Sequence, residues 1–392
     1  MNSPLHGVRV VDFTTTIAGP HCTRLLADVG AEVIKLEAPD GDMMRSRPPL
    51  RNGASTSFGQ LNTGKKSVIL DLKRPEALKI VRRLVATADV LVENFRPGVM
   101  PRFGLDYPAL KAAKPDLVYC AISGYGQTGP SAELPAYAPV IHAASGYDLA
   151  HLAYQGGDRR PDYCGIFIAD VVTGTYAFGA IMTALYQRQQ TGEGQLIDVS
   201  MLESMLSLTL SEMQLAQFPA SYIQGRPIFG PIATKDGWIN IGGANQANWE
   251  RIATVIGLPK LIADPRFKTN ADRMAHKQEL AELIAARTRT RSSADWILNL
   301  EASGVPVGPI NKIGEMLSDP QVAARAMVVE VNHPKAGKTK ALGLPIKFSD
   351  TPGSVRSAAP LLGQHTRVVL LSLGYSDKEI KALEKSGAVA CA

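Results

Sequence analysis

Val8-Arg9-Val10-Val11-Asp12-Phe13, the loop Thr14-Thr15-Thr16-Ile17-Ala18-Gly19-Pro20, the run His21 to Val29, and Glu32-Val33-Ile34-Lys35-Leu36-Glu37 together decide the fold. The first and last pieces are β-rich and read as strands. His21 to Val29 reads as a helix, closed by Gly30 in a position that suits a left-handed cap. Strand, helix and strand in this order form a βαβ unit, which makes the two strands parallel. Outward from it the alternation repeats. Val68 to Leu72 is a strand, and a helix opens at Pro75, a favoured first-turn position. Within that helix Leu78, Val81, Leu84 and Val85 form one apolar face. Asp89 to Phe95 and Leu117 to Ser123 add two more strands. The expected class is α/β, with a largely parallel sheet covered on both faces.

A ligand of such a sheet binds at the carboxyl ends of its strands. The loop after the first strand holds one glycine, Gly19, where a dinucleotide fingerprint has three. A nicotinamide-dependent oxidoreductase is therefore disfavoured. Further on, Ile168 to Arg188 reads as a long helix ended by Gly192, and Gln195 to Val199 as a strand. Ser200-Met201-Leu202-Glu203 has capping-box spacing and predicts a helix to about Phe218. Pro219, Gly225, Pro227, Gly230 and Pro231 then mark a linker. A hairpin is expected around Lys235-Asp236-Gly237, with helices over Trp249–Ile256 and Lys277–Arg287. From Gly343 the chain reads as a short strand and two helices, one capped by Ser376-Asp377-Lys378-Glu379. The expected organisation is a large domain over 1–200 completed by 345–392, a linker over 201–225, a small domain over 226–320 and a return linker over 321–344.

Composition narrows the class without choosing the chemistry. The 392 residues are 45% hydrophobic and 20% charged, as in a soluble globular protein. No uninterrupted apolar run reaches about 18 residues, so no membrane span is expected. Met1 to His6 lacks the pattern of a secretory signal, which points to the cytoplasm. Four cysteines without paired spacing and seven histidines without HxxxH or HExxH argue against a metal centre or a disulfide framework. The net charge of +6 is not gathered into a basic tract, so nucleic acid is not an expected partner. Lys65-Lys66 and Arg82-Arg83 read as solvated pairs. A mild excess would also suit a polyanionic small ligand.

Six motifs in order carry a more specific reading. They are Asp12-Phe13 with Ala18-Gly19-Pro20; Gly30 to Glu37; Glu93-Asn94-Phe95-Arg96-Pro97-Gly98; Ser123 to Pro130; Ile168-Ala169-Asp170-Val171-Val172-Thr173-Gly174; and Leu362 to Thr366. Together they resemble the class III CoA-transferase family (the CaiB/BaiF type, which includes formyl-CoA and carnitine CoA-transferases) over essentially the whole chain. The resemblance implies a Rossmann-like large domain built from both ends of the chain, a smaller inserted domain, and an interlocked-ring homodimer. It implies coenzyme A and acyl-CoA as substrates, with a carboxylic acid as acceptor and no metal or nicotinamide.

By motif the nucleophile is Asp170. In the family's mechanism an aspartate attacks the acyl-CoA thioester to give a mixed anhydride, then takes CoA as an aspartyl thioester. From spacing alone Asp170 reads first as a first-turn aspartate capping its helix. There a helix N-terminus favours the ionised form and an apolar setting opposes it. Tyr137 falls where the family places an active-site tyrosine; alone it reads as a packing residue. Ile17 stands where formyl-CoA transferases carry a glutamine, which argues against a formyl or oxalyl substrate and for an apolar wall beside CoA. Gly242-Gly243 resembles the glycine loop that covers the intermediate and offers N–H donors to an oxyanion. A hairpin exit explains it equally. For CoA itself, Asn94, Phe95, Arg96 and Arg102 follow one strand and Lys73 and Arg74 another, with Arg45 a weaker choice. Each cation alone reads as a solvated surface charge. His142 and His151 read as packing or surface residues.

Family habit points to succinyl-CoA as donor and to a short dicarboxylate such as malate, citramalate or itaconate as acceptor. The alternative is a 2-methylacyl-CoA racemase, which needs a base on each face of the acyl carbon. That subfamily carries a His-Asp pair where this chain has Tyr137-Ala138. A CoA-binding protein without catalysis is a third reading, opposed by Asp170.

Overall fold

The computed structural model describes residues 3–155, 159–218, 227–243 and 245–392. Contacts divide the chain into two units, one formed by 1–153, 157–211 and 321–392, the other by 154–156 and 212–320.

The first unit is built on six strands: β1 (Arg9–Asp12), β2 (Glu32–Glu37), β3 (Lys66–Leu70), β4 (Val90–Glu93), β5 (Val118–Ser123) and β6 (Leu196–Ser200). Their order across the sheet is β3-β2-β1-β4-β5-β6, all parallel. The two-residue strand Val389–Ala390 adds an antiparallel edge beside β3. This is a doubly wound order that reverses between β1 and β4, so a crevice opens there at the strands' carboxyl ends.

Alternation along the strands feeds two cores. Val10, Val33, Val90, Val92 and Cys120 face one layer, made by helices α1 (Ala18–Asp28) and α4 (Ile168–Thr191). Val11, Ile34, Leu91 and Tyr119 face the other, which includes α2 (Pro75–Val85) and the C-terminal helices Thr366–Ser372 and Asp377–Lys385. Near-continuous apolar strands are what a sheet covered on both sides requires. The last of those helices carries the expected capping box between Ser376 and Glu379. Helix α3 (Ala138–Ala144) packs between α4 and α5 (Met201–Leu206).

Several boundaries differ from the sequence reading, among them the C-terminal strand, which follows the two helices as Val389–Ala390. Helix α1 begins at Ala18, because Pro20 sits in the first turn, where a missing N–H costs nothing. The helix from Ser200 stops at Leu206 and a second runs from Leu210 to Gln217, so much of the 201–225 linker is helical; residues 219–226 lie outside the described ones. The return stretch 321–344 carries the antiparallel pair Val328–His333 and Gly337–Leu342.

Helix α4 is long and apolar enough to cross a membrane by length and composition. Its Ala177, Ile181, Ala184 and Leu185 are buried against the layer shared with α1, which is a core-helix reason for that composition.

The second unit has its own core. Strands β7 (Phe229–Ala233) and β8 (Trp238–Gly242) form the expected hairpin, and β9 (Val307–Pro309) pairs with β8. Trp249, Phe267, Leu280, Ile284, Trp296 and Leu300 fill the space beneath it.

Candidate active site

The turn between β1 and α1 is fixed at every residue. Asp12, fully buried at the end of β1, accepts the Thr14 N–H at 2.8 Å and the Thr14 hydroxyl at 2.6 Å through Oδ1. Lys35 is its register partner on β2 and donates to the Thr14 carbonyl at 2.6 Å while pairing with Asp42 at 3.0 Å. Asn94 forms a two-point amide pair with Thr15, both bonds at 2.8 Å, and so ties the end of β4 to the end of β1 across the switch point. Thr16 is held at φ +70°, a left-handed conformation that is strained for a β-branched residue. The turn delivers the first N–H groups of α1, whose N-cap Ile17 has no side chain able to accept them.

Asp170 approaches that N-terminus from another helix. It is the third residue of α4, 8% exposed, and the backbone amides of Ala18 and of Asp170 itself favour its ionised form. The group therefore sits at two helix N-termini, both of which favour negative charge. Burial nevertheless wins, and pushes the Asp170 carboxyl up to about 6, with the two amides working against it. At neutral pH it is still mostly ionised, desolvated and competent as a nucleophile.

The helices meet this closely only because residue 174 is glycine. A Cβ there would lie 2.4 Å from the Ala18 carbonyl oxygen and 3.2 Å from the Cys22 nitrogen. Gly174→Ala should cost about 1–3 kcal/mol from overpacking. It should also lower kcat, because α1 must shift away and carry the Ala18 amide, which favours the ionised carboxylate, away from Asp170. Urea unfolding and initial rates read the two effects, and wild-type values for both would refute the close approach.

A cavity of about 320 Å³ opens at the switch point, lined by Thr15, Thr16, Asn94, Arg96, Tyr137 and Asp170 among others. A second, also about 320 Å³, lies over β1 to β3 and is largely apolar, with Phe13, Leu36, Leu70, Leu72, Phe95 and Phe103 in its wall. Phe95 borders both cavities, and Lys73 stands at the second.

The structure thus brings Asp170, Tyr137, Asn94, Phe95 and Arg96 to one place, with Lys73 at the adjoining cavity. Other expectations are corrected. Ile17 is buried as the N-cap of α1 and lines neither cavity, so it is not the apolar wall. Arg102 is exposed on the short helix Val99–Arg102 and lines neither cavity as well. Arg45 is engaged by Glu37 in a two-point pair, 2.7 Å each, and is not left for a phosphate. Lys65 is no solvated charge; it is fully buried against Asp12. Gly242 and Gly243 belong to the second unit, and their N–H groups bond to the carbonyls of Pro306 and Ile228, both at 2.8 Å. Those donors are taken, and glycine is needed there because a Cβ on Gly243 would meet the Ile228 oxygen at 2.5 Å.

The model of CoA-transferase family III matches residues 5–366. The chain belongs to that family. It is 38% identical over 404 residues to the mouse succinyl-CoA:glutarate CoA-transferase, covering 98% of this chain and 90% of that protein. To the succinate–glutarate CoA-transferase of Agrobacterium fabrum it is 35% identical, covering 94% and 96%. The crystal structure of a CAIB/BAIF family protein from Brucella suis matches with a TM-score of 0.84 at 35% identity, over 95% of this chain and all of that one. This class III CoA-transferase therefore uses CoA thioesters as substrates.

Three parts of the transferase's site were not read from sequence. That Asp12 and Lys35 need buried partners was legible in principle, since each is a charge inside an apolar strand; the partners are Lys65 for Asp12 and Asp42 for Lys35. Glu93, buried beside Asn94, accepts the Phe95 N–H at 2.8 Å, and burial pushes its carboxyl up to about 8. His142 is fully buried against the start of α4, a position no local pattern announces.

Proposed function

We propose that this transferase moves CoA from succinyl-CoA to a short dicarboxylate through covalent intermediates on Asp170. The observation that carries the proposal is a buried, largely ionised carboxylate held at two helix N-termini and open to a cavity. The relatives' names support succinyl-CoA as donor and move glutarate ahead of malate, citramalate or itaconate as the acceptor to test.

In the proposed sequence an Asp170 oxygen attacks the thioester carbonyl, the C–S bond breaks, and CoA leaves as the thiolate with a succinyl–aspartyl anhydride behind it. The thiolate attacks the aspartyl carbonyl and releases succinate, leaving an aspartyl-CoA thioester. The acceptor carboxylate displaces CoA to form a second anhydride. The thiolate then takes the acceptor's acyl group, and Asp170 is regenerated. The Ala18 amide, which favours the ionised carboxylate, is the donor proposed for the oxyanion that develops there. The apolar second cavity suits the adenine, and Lys73 and Arg96 are the cations suited to its phosphates. Exposed Val171, Tyr176 and Tyr186 on α4 support a homodimer, proposed as the interlocked one.

Racemisation is the weaker reading. The residue at the position of that subfamily's histidine is Tyr137, and the nearby His142 is engaged at Nε2 by the Ala169 N–H at 3.2 Å. Intact-protein mass after incubation with succinyl-CoA should show a CoA adduct that hydroxylamine removes, and added glutarate should be converted to glutaryl-CoA. No adduct from any of a panel of thioesters, with deuterium entering the acyl α-carbon instead, would reverse the assignment.

A further inference from the structure

Helix α4 starts without a cap of its own. Its N-cap is Phe167, whose side chain accepts no hydrogen bond, so the first N–H groups need outside partners. One of them, Ala169 N–H, directly precedes the proposed nucleophile. It donates to Nε2 of His142 at 3.2 Å. His142 lies on α3 and is 1% exposed. An amide N–H only donates, so Nε2 must hold its lone pair and the ring proton must sit on Nδ1. That Nδ1 is buried without a hydrogen-bond partner among the described residues. A phenylalanine or leucine would fill the same space without stranding a donor, so packing alone does not account for a histidine here.

The surroundings hold the ring neutral. The Tyr147 ring lies 5.6 Å away, and His151 stacks on Tyr147 at 5.7 Å. Asp148 is the acidic group that favours protonation, and burial outweighs it, keeping His142 below the ordinary histidine range. Asp170 follows Ala169 on the same turn. Protonation would set an Nε2–H against the Ala169 N–H, two donors face to face.

We propose that His142 is a positioning residue for Asp170: its neutral Nε2 anchors the first turn of α4, and protonation of the ring releases that turn and misaligns the carboxylate. The proposal rests on the reading of Asp170 as nucleophile and adds a second proton to the acid inactivation of the enzyme. His142 touches neither substrate nor reacting atoms.

Two variants and one control test it with succinyl-CoA and glutarate. His142→Phe keeps the ring volume and loses the acceptor. It should lower kcat by about 10²-fold, the cost of a small misplacement, with KM for succinyl-CoA nearly unchanged. His142→Gln can offer an amide oxygen to Ala169 at every pH and should restore most of kcat. The acid limb of log kcat against pH should have a limiting slope of two in the native enzyme and one in His142→Gln. A folded His142→Phe with native kcat overturns the proposal. Equal losses in both variants, matched by equal drops in melting temperature, overturn it in favour of plain packing, as does a slope of one in the native enzyme. Turnover retained in Asp170→Asn would instead remove the nucleophile reading itself, whatever the His142 variants do.

Discussion

Asp170→Asn should abolish CoA transfer and at the same time stabilise the protein at neutral pH. On the proposed mechanism, loss of the residue that carries both anhydride and thioester leaves no alternative route, so the fall in kcat should be on the order of 10⁴-fold or more. The stability gain follows from the group's titration. Its carboxyl lies at about 6 in the folded protein against 3.8 for a free aspartate, because burial outweighs the Ala18 and Asp170 amides. A raised folded-state value means that the protonated form is the favoured one. Its stabilisation is fully present below about pH 3.8 and is lost as pH rises through about 6. Above that the native enzyme carries an ionised, desolvated carboxylate at a cost of about 3 kcal/mol. Asparagine resembles the protonated form and escapes that cost. Urea unfolding at pH 7.5 should therefore favour the variant by about 2–3 kcal/mol, with the difference shrinking towards pH 4. Equal stability at both pH values would show that burial does not strain the carboxylate. The catalytic counterpart is an acid limb in kcat/KM near pH 6, where the proposed nucleophile takes up its proton.

The sheet was legible because apolar strands and helix patterns alternate with little ambiguity. Val10 and Val11, or Val33 and Ile34, belong to opposite cores, and only a sheet covered on both faces asks for both. Asp170 was found through its motif, and the glycine four residues later has its meaning in the approach of α1. What could not be read is contact at long separation. Lys65 next to Lys66 looks like a solvated pair, yet one is fully buried and the other bonds to Glu32 at the surface. Gly242 and Gly243 looked available as donors until Pro306 and Ile228 supplied acceptors from distant positions. Ile17 matched a substrate-binding position by alignment of motifs, while its place as N-cap turns it inward. For Lys65 and Gly242 the deciding partners, Asp12 and Pro306, lie tens of residues away, beyond any local pattern.

Lys65→Met should be the most destabilising single change near the site, at about 3–5 kcal/mol. The three N–H groups of the Lys65 ammonium are shared among four acceptors in reach, Asp12 Oδ2 at 3.0 Å, the Thr23 hydroxyl at 2.7 Å, Asn62 Oδ1 at 2.8 Å and the Pro20 carbonyl at 3.1 Å. Burial pushes this lysine down to about 8, against the pull of Asp12. Burial alone would raise the Asp12 carboxyl; Lys65 first and Lys35 second reverse that and hold it below the usual aspartate range. Removing the ammonium leaves a buried carboxylate with half its compensation, and that stranded charge supplies most of the loss. Because Asp12 Oδ1 also holds Thr14, the damage should reach the turn that presents the Ala18 N–H, and kcat should fall with stability. The double variant Asp12→Asn, Lys65→Met takes away both charges. If the stranded charge is the cause, it should recover most of the lost stability, since replacing a whole buried pair costs far less than halving it. Urea unfolding of the two variants side by side decides the matter. A loss under about 1 kcal/mol in Lys65→Met, the range of an exposed pair, would mean that water reaches Asp12 and that the pair does not brace the turn. A double variant no better than the single would place the loss in the Thr23, Asn62 and Pro20 hydrogen bonds instead of the unpaired carboxylate.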